Sequence, residues 1–393
     1  MRFYSGMNNL RLLLFALFVF TTALIASAAE SPKLLFYVGT YTNDDGQATK
    51  SKGIYAYLYD PAGKLTSLGL AAETTNPSWL VISPNSKFLY AVNEVGNYNG
   101  PNSGGVSAFA IDRVTGKLTF LNEVASRGAD PCYITVDKTG KWALVANYTG
   151  GSVAVFPIGD DGKLGEASAF VQHTGHGTNP KRQEGPHAHS IDLSPDNRFA
   201  YVDDLGLDEV LVYKFDSAKG TLTPNDPPFA RLEAGTGPRH FALRPDGKFA
   251  YVVGEMGHTV TVFSNDAASG KLQSLQSITT LSKDFQGRND DAEIRMHPSG
   301  KFLYASNRGE DTIATYAIDG SKGTLTPVAN FATGGKEPRS FEIDPTGTFI
   351  IAENQKSDNL VIFGIDRATG KLTATGNVLK VGAPVCLKFL KIE

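Results

Sequence analysis

One pattern returns six times from position 77 onward: a proline or aspartate, an alternating strand, a tight polar turn, a second strand rich in aromatics, and a closing Asn, Asp or Gly. The copies read Pro77-SWLVISPNSKFLYAV-Asn93, Pro131-CYITVDKTGKWALVA-Asn147, Pro186-HAHSIDLSPDNRFAYVD-Asp204, Pro238-RHFALRPDGKFAYVV-Gly254, Asp291-AEIRMHPSGKFLYAS-Asn307 and Pro338-RSFEIDPTGTFIIAE-Asn354. Their turns, at Pro84, Lys138, Pro195, Pro245, Pro298 and Pro345, lie roughly 47 to 57 residues apart, close to the period of propeller blades. A unit of that size cannot bury its own apolar face, so it must stack on its copies.

The strands within a unit can be counted. Two alternating runs flank the first turn, a third follows as in Gly151-SVAVFPI or Thr312-IATYAID, and a fourth follows a second turn, as at Gly116-KLTF or Gly370-KLTA. Each unit is therefore a four-stranded antiparallel meander. The termini supply one more: Leu34-LFYVGTYT reads as a second strand, Gly53-IYAYLYD as a third and Pro384-VCLKFL as a lone first strand. The expectation is an all-β, seven-bladed propeller closed by pairing of the N- and C-terminal strands, which leaves only short, protected edges. An open solenoid would instead need atypical polar repeats at its ends.

Composition narrows the function. Forty-one glycines and 20 prolines serve the many turns, and a net charge of −3 with mixed signs and no basic stripe argues against a nucleic-acid partner. At the N-terminus, Arg2 and Arg11 flank a polar start, 12–26 is apolar, and Ala26-Ser27-Ala28 offers a small-residue cleavage site. Residues 1–28 are expected to be an export signal and 29–393 the propeller, exported to the periplasm or beyond, with no stable membrane insertion after cleavage. An uncleaved anchor would likewise hold the ring outside the cytoplasm. Cys132 and Cys386 fall on first strands of blades that are not neighbours, so two buried free thiols are expected.

Propeller geometry turns this register into a site. First-strand beginnings and second-strand endings open on one face of the disc, so Ser78, Cys132, His189, Arg239, Ala292 and Arg339 share a mouth with Tyr41, Glu94, Tyr148, Leu205, Glu255, Arg308 and Gln355. Trp79, Tyr133, Ser190, His240, Glu293 and Ser340 follow just behind. Blade stacking requires none of the charged members. They form either inter-blade ion pairs or a polar pocket in which arginines bind an anion and carboxylate or imidazole groups move protons.

Four of the seven histidines fall in QHTGHGTNPKRQEGPHAHS. His187 and His189, two apart, are expected on one side of a lengthened strand facing the mouth. His173 and His176, in a Gly-rich insertion with Lys181 and Arg182, are expected in solvent. A His-x-His pair can bind zinc, but no carboxylate stands at a convincing spacing, and neither metal nor other cofactor is expected. No Gly-x-Ser-x-Gly elbow, phosphate loop, dinucleotide fingerprint or Cys-x-x-Cys pair occurs.

Several segments resemble the seven-bladed β-propeller lactonases of the 6-phosphogluconolactonase type, related to fungal 3-carboxy-cis,cis-muconate lactonizing enzymes. They are Phe36-YVGTYT, NPSWLVISPNSKFLYAVNE, RQEGPHAHS, Gly237-PRH and Asp291-AEIRMHPSGKFLYASNRG, spread over nearly all of 29–393. The resemblance implies metal-independent opening of a small anionic lactone, with His187 or His189, Arg239, Glu255 and Arg308 as catalytic groups. Glu293, Lys181, Arg182, Arg339 and Glu94 are added here as substrate-binding residues. In this reading Arg239 and Arg308 hold the substrate anion and the developing oxyanion, while a histidine and Glu255 exchange the protons. The same residues would serve a cycloisomerase that closes a lactone, and an exported propeller can also act as a non-catalytic binding disc.

Overall fold

The structure is a computed structural model and describes residues 1–3, 34–44, 46–60 and 64–390. The expected signal segment, beyond its first three residues, lies outside the described residues. Seven four-stranded antiparallel sheets carry the chain. Blade 1 is composite, with strand order Pro384–Leu390, Leu34–Thr40, Gly53–Asp60 and Lys64–Glu73, and blades 2 to 7 follow in chain order, each innermost strand first. The innermost strands pack in cyclic order from Trp79–Ile82 through Pro131–Val136, Ala188–Leu193, Pro238–Leu243, Asp290–Met296 and Pro338–Ile343 to Pro384–Leu390, which returns to Trp79–Ile82. The expected seven-bladed closure is present. Its clasp is antiparallel pairing of the first and last strands, with Leu35 opposite Leu390 and Gly39 opposite Cys386.

The repeated aromatics and glycines form the two halves of one joint. In blade 5, Phe249 and Tyr251 lie on the second strand, and both meet the outer turn of blade 6 at Gly323. The Tyr251 hydroxyl donates to the Gly323 carbonyl at 2.9 Å, while the Phe249 ring fills the space where a Cβ on that glycine would stand. Blade 6 repeats the arrangement on blade 7 with Phe302, Tyr304 and Gly370, and blade 2 on blade 3 with Phe88, Tyr90 and Gly162. Tyr201 varies it by donating to the Asn265 side chain at 3.0 Å. Each of these joints buries aromatic area and gives a tyrosine hydroxyl an acceptor on the next blade, so these blades are tied to their neighbours.

Cys132 and Cys386 are both buried and free. Among the described residues the only helix is a 3-10 turn, Gln355–Ser357, and no helix is long and apolar enough to cross a membrane. A two-stranded ribbon, Asn43–Asp44 with Gln47–Ala48, stands outside the blades.

The joint can be tested with two glycines of like backbone. Gly323 and Gly300 have φ of 70° and 69°, but an added Cβ would sit 2.2 Å from the Phe249 ring at the first and meet nothing at the second. Gly323→Ala should therefore cost about 1–3 kcal/mol more than Gly300→Ala, the typical penalty of overpacking, in denaturant unfolding; equal losses would show that this packing contributes no stability.

Candidate active site

In a regular strand, successive side chains point to opposite faces. The inner strands break that rule where they begin. Pairing skips one residue between Pro131 and Tyr133, Ala188 and Ser190, Pro238 and His240, and Pro338 and Ser340, and shifts between Asp291 and Ile294. The skipped residues are Cys132, His189, Arg239 and Arg339. A bulge re-aims its side chain, so Arg239 and the next residue, His240, come together, with Arg239 Nη1 donating to His240 Nε2 at 3.3 Å.

The bulges surround an inner well of about 260 Å³. His189, Cys132 and Tyr148 line part of its wall, with Glu255, Arg182 and Arg308, and Glu94 and Arg339, around the rest. It opens into a vestibule of about 1020 Å³ that shares Glu94, Arg288, Asp290, Arg308 and Arg339 with it and extends to Asp44, Asp130, Glu337 and Lys356.

Glu255 is the hub. Its Oε2 accepts from Arg239 Nε at 3.0 Å and pairs with Arg308 Nη2 at 2.8 Å, and its Oε1 accepts from Arg182. Burial alone would raise its pKa, but Arg308 and Arg239, helped by Arg182, override burial and hold the carboxyl well below the usual range. Arg308 is fixed by the backbone as well, donating to the carbonyls of Asp290 and Asp291, each at 3.2 Å. Arg239 is only 2% exposed and lines neither cavity. Burial, then Arg308 and Arg339, push it down to about 10, which still leaves it cationic at neutral pH.

Across the well, Glu94 accepts from the Tyr41 hydroxyl at 2.8 Å, and Arg339 lies over the Tyr41 ring 3.9 Å from Glu94. His189 is buried between the rings of Tyr148, at 5.5 Å, and His240, at 5.2 Å. Its Nδ1 faces the Cys132 sulfur at 3.8 Å. Burial, then the charge of Arg239, depress its pKa well below the ordinary histidine value of 6.5, so it is unprotonated at neutral pH.

The structure gathers His189, Glu255, Arg308, Arg182, Arg339 and Glu94 into the well and places four expected residues elsewhere. The strand bearing His189 is no longer than its counterparts; it begins at Ala188, and His187 precedes it. His187 lines neither cavity. Its ring stacks on Tyr148 at 4.6 Å and its Nδ1 lies 3.1 Å from the Tyr148 carbonyl. Arg239 sits under the well, behind Glu255. Glu293 lies deeper still, 1% exposed. Lys181 is exposed on the insertion and touches neither cavity.

His176 is exposed as expected, but His173 is buried. Its Nδ1 is 2.6 Å from Asp204 Oδ2, while Asp204 Oδ1 accepts from the backbone of His187 and Gly206. Local pattern could not show this, because the partner lies in the next hairpin. Tyr148 is the residue that sequence reasoning placed at the mouth without a role; it supports both His187 and His189.

Among the described residues no group of three or more His, Cys, Asp and Glu is arranged to hold a metal ion. A buried neutral imidazole beside arginines that surround a fixed carboxylate, at the mouth of a propeller, offers a proton acceptor and fixed positive charge in one cavity. The chain belongs to the seven-bladed β-propeller lactonases, whose family profile matches residues 35–389, and it is an enzyme of that class. It is 36% identical over 359 residues to the 6-phosphogluconolactonase of Bacillus subtilis, covering 91% of this chain and 99% of that protein. It is 34% identical over 311 residues to the 6-phosphogluconolactonase of Formosa agariphila, 78% of this chain and 85% of the relative. The solved structure of a periplasmic gluconolactonase from Pseudomonas aeruginosa superposes with a TM-score of 0.85 at 33% identity, over 92% of this chain and 100% of that one.

Glu255→Gln would leave Arg182, Arg239 and Arg308 crowded around a neutral amide. The loss expected in urea unfolding is about 3–5 kcal/mol, as for removing one partner of a buried ion pair, partly recovered when sulfate is added; a change under 1 kcal/mol would show that the arginines do not need this anion.

Proposed function

We propose that the enzyme opens an uncharged lactone of a sugar acid, with His189 as general base. The observation that carries this is the buried, neutral His189 in a well where Arg308 and Arg339 also stand. His189 takes a proton from water as the water oxygen attacks the lactone carbonyl. Arg308 and Arg339 carry the oxyanion, fixed charges that need no reorganisation at the moment of reaction. When the tetrahedral carbon collapses, the ring C–O bond breaks and the imidazolium returns its proton to the departing alkoxide, leaving a hydroxy acid whose new carboxyl then releases its remaining proton to solvent. Glu255 is better suited to anchoring arginines than to exchanging protons, because three of them keep it ionised.

Charge inventory favours a substrate without a phosphate. The inner well is lined by Arg182, Arg288, Arg308 and Arg339 against Glu94, Glu255 and Asp290, one formal positive charge in excess. Arg239 beneath the well adds a further positive charge, but it is engaged by Glu255, the Ala292 carbonyl and His240. In the vestibule Lys356 is paired with Asp44 at 2.8 Å and Arg288 with Asp290 at 3.1 Å, while Asp130 and Glu337 add further negative charge. A dianion would have to displace these pairings. Relatives named for the phosphorylated and the plain lactone both resemble this chain, and an export signal over 1–28 would carry the enzyme to the periplasm or beyond, in keeping with a Pseudomonas relative named as periplasmic.

Two measurements test this reading. The rate constant kcat/KM should stay level as pH falls to 6.5 and decline only below it, because activity needs unprotonated His189, whose pKa is lowered; a midpoint at or above 6.5 would overturn the assignment of the base. His189→Ala should lose about 10²- to 10⁴-fold in kcat. In a paired assay, the plain aldonolactone should have the higher kcat/KM than its phosphorylated counterpart, and the reverse order would overturn the charge argument.

A further inference from the structure

Beneath the well, Arg239 and His240 form a buried pair that the proposed reaction does not use directly. Arg239 makes three contacts within the protein: Nε to Glu255 at 3.0 Å, Nη1 to the Ala292 carbonyl at 2.6 Å, and Nη1 to His240 Nε2 at 3.3 Å. A guanidinium can only donate. His240 Nε2 must therefore offer a lone pair, and its ring proton must reside on Nδ1. That proton needs an acceptor, and Glu293 Oε1 stands 3.1 Å from Nδ1.

Glu293 is itself held at four points. Oε1 also accepts from the Ile294 backbone at 2.9 Å, and Oε2 accepts from Ser340 at 3.1 Å and from Arg295 at 3.3 Å. Such a carboxylate has little freedom to turn toward a ligand, but it is a firm anchor for an imidazole. The rings of Trp79, Tyr133 and His189 close on His240 at 4.9, 5.2 and 5.2 Å and fix its plane. Burial, then Arg239 and Arg295, hold its pKa well below the ordinary histidine range, so the lone pair is kept.

We infer that His240, locked by Glu293 with its proton on Nδ1, is a positioning residue: its Nε2 lone pair aims the Arg239 guanidinium at Glu255, and through Glu255 keeps Arg308 and Arg182 in place around the well. The contribution to turnover rests on the proposed lactone hydrolysis; the tautomer does not. A residue of this kind works through its hydrogen bond rather than its volume. Glutamine can supply both the acceptor for Arg239 and the donor for Glu293, whereas phenylalanine supplies only the ring.

Nitrogen-15 NMR of the wild-type protein should show the His240 proton on Nδ1, and a proton on Nε2 would overturn the inference without reference to activity. In lactone hydrolysis, His240→Phe should lower kcat about 10- to 100-fold, the worth of one hydrogen bond to a charged group, with KM little changed, while His240→Gln keeps most of the wild-type kcat. Equal losses in the two variants, or a wild-type kcat in His240→Phe, would also overturn it. Should His240→Phe fail to fold, the wild-type tautomer and the His240→Gln kcat still decide. A wild-type protein that opens no lactone would instead sink the proposed reaction and leave the tautomer result standing.

Discussion

Everything in this molecule depends on seven inner strands closing around one axis. Each blade alone has too little apolar surface to persist; blades 2, 5 and 6 offer Phe and Tyr to the glycine turn of the next, and blade 4 a variant of the same joint. The joint is directional, from the second strand of one blade to the outer turn of its neighbour, so it passes around the ring in one sense. Closure then removes two edges that would otherwise template unwanted pairing. The composite blade achieves this with hydrogen bonds between residues more than 340 positions apart, such as Leu35 and Leu390.

The same closure concentrates charge. Side chains from blades 4, 5 and 6 converge on Glu255, and the cost of burying so many ionic groups is offset only because each finds partners in the others. The site is preorganised in that sense: arginines held by a carboxylate and by backbone carbonyls do not wait for a ligand to place them. An imidazole set among them stays unprotonated at neutral pH, which leaves its lone pair open.

The architecture was legible in the chain because a repeat near fifty residues with period-two alternation admits few alternatives. Most of the mouth was legible too, by counting from each turn to the strand ends: His189, Glu255, Arg308, Arg339 and Glu94 all fall where that count puts them. Depth was not. A β-bulge adds one residue without changing local composition, so nothing in the string PRH shows that Arg239 and His240 share a side, or in PHAHS that His187 and His189 have different surroundings. Burial of His173 was equally hidden, since it depends on Asp204, thirty-one residues further on. Lys181 and Arg182 are adjacent in the insertion and chemically alike, yet only the second reaches Glu255; the path of an irregular loop has no periodicity from which to read it.

The clasp between the first and last strands has a consequence for how the chain is made. The strand that completes blade 1, Pro384–Leu390, leaves the ribosome after every other blade strand described. Until it arrives, the edge of Leu34–Thr40 has no partner and the circle stays open, so a nascent chain cannot lock into its final form ahead of time.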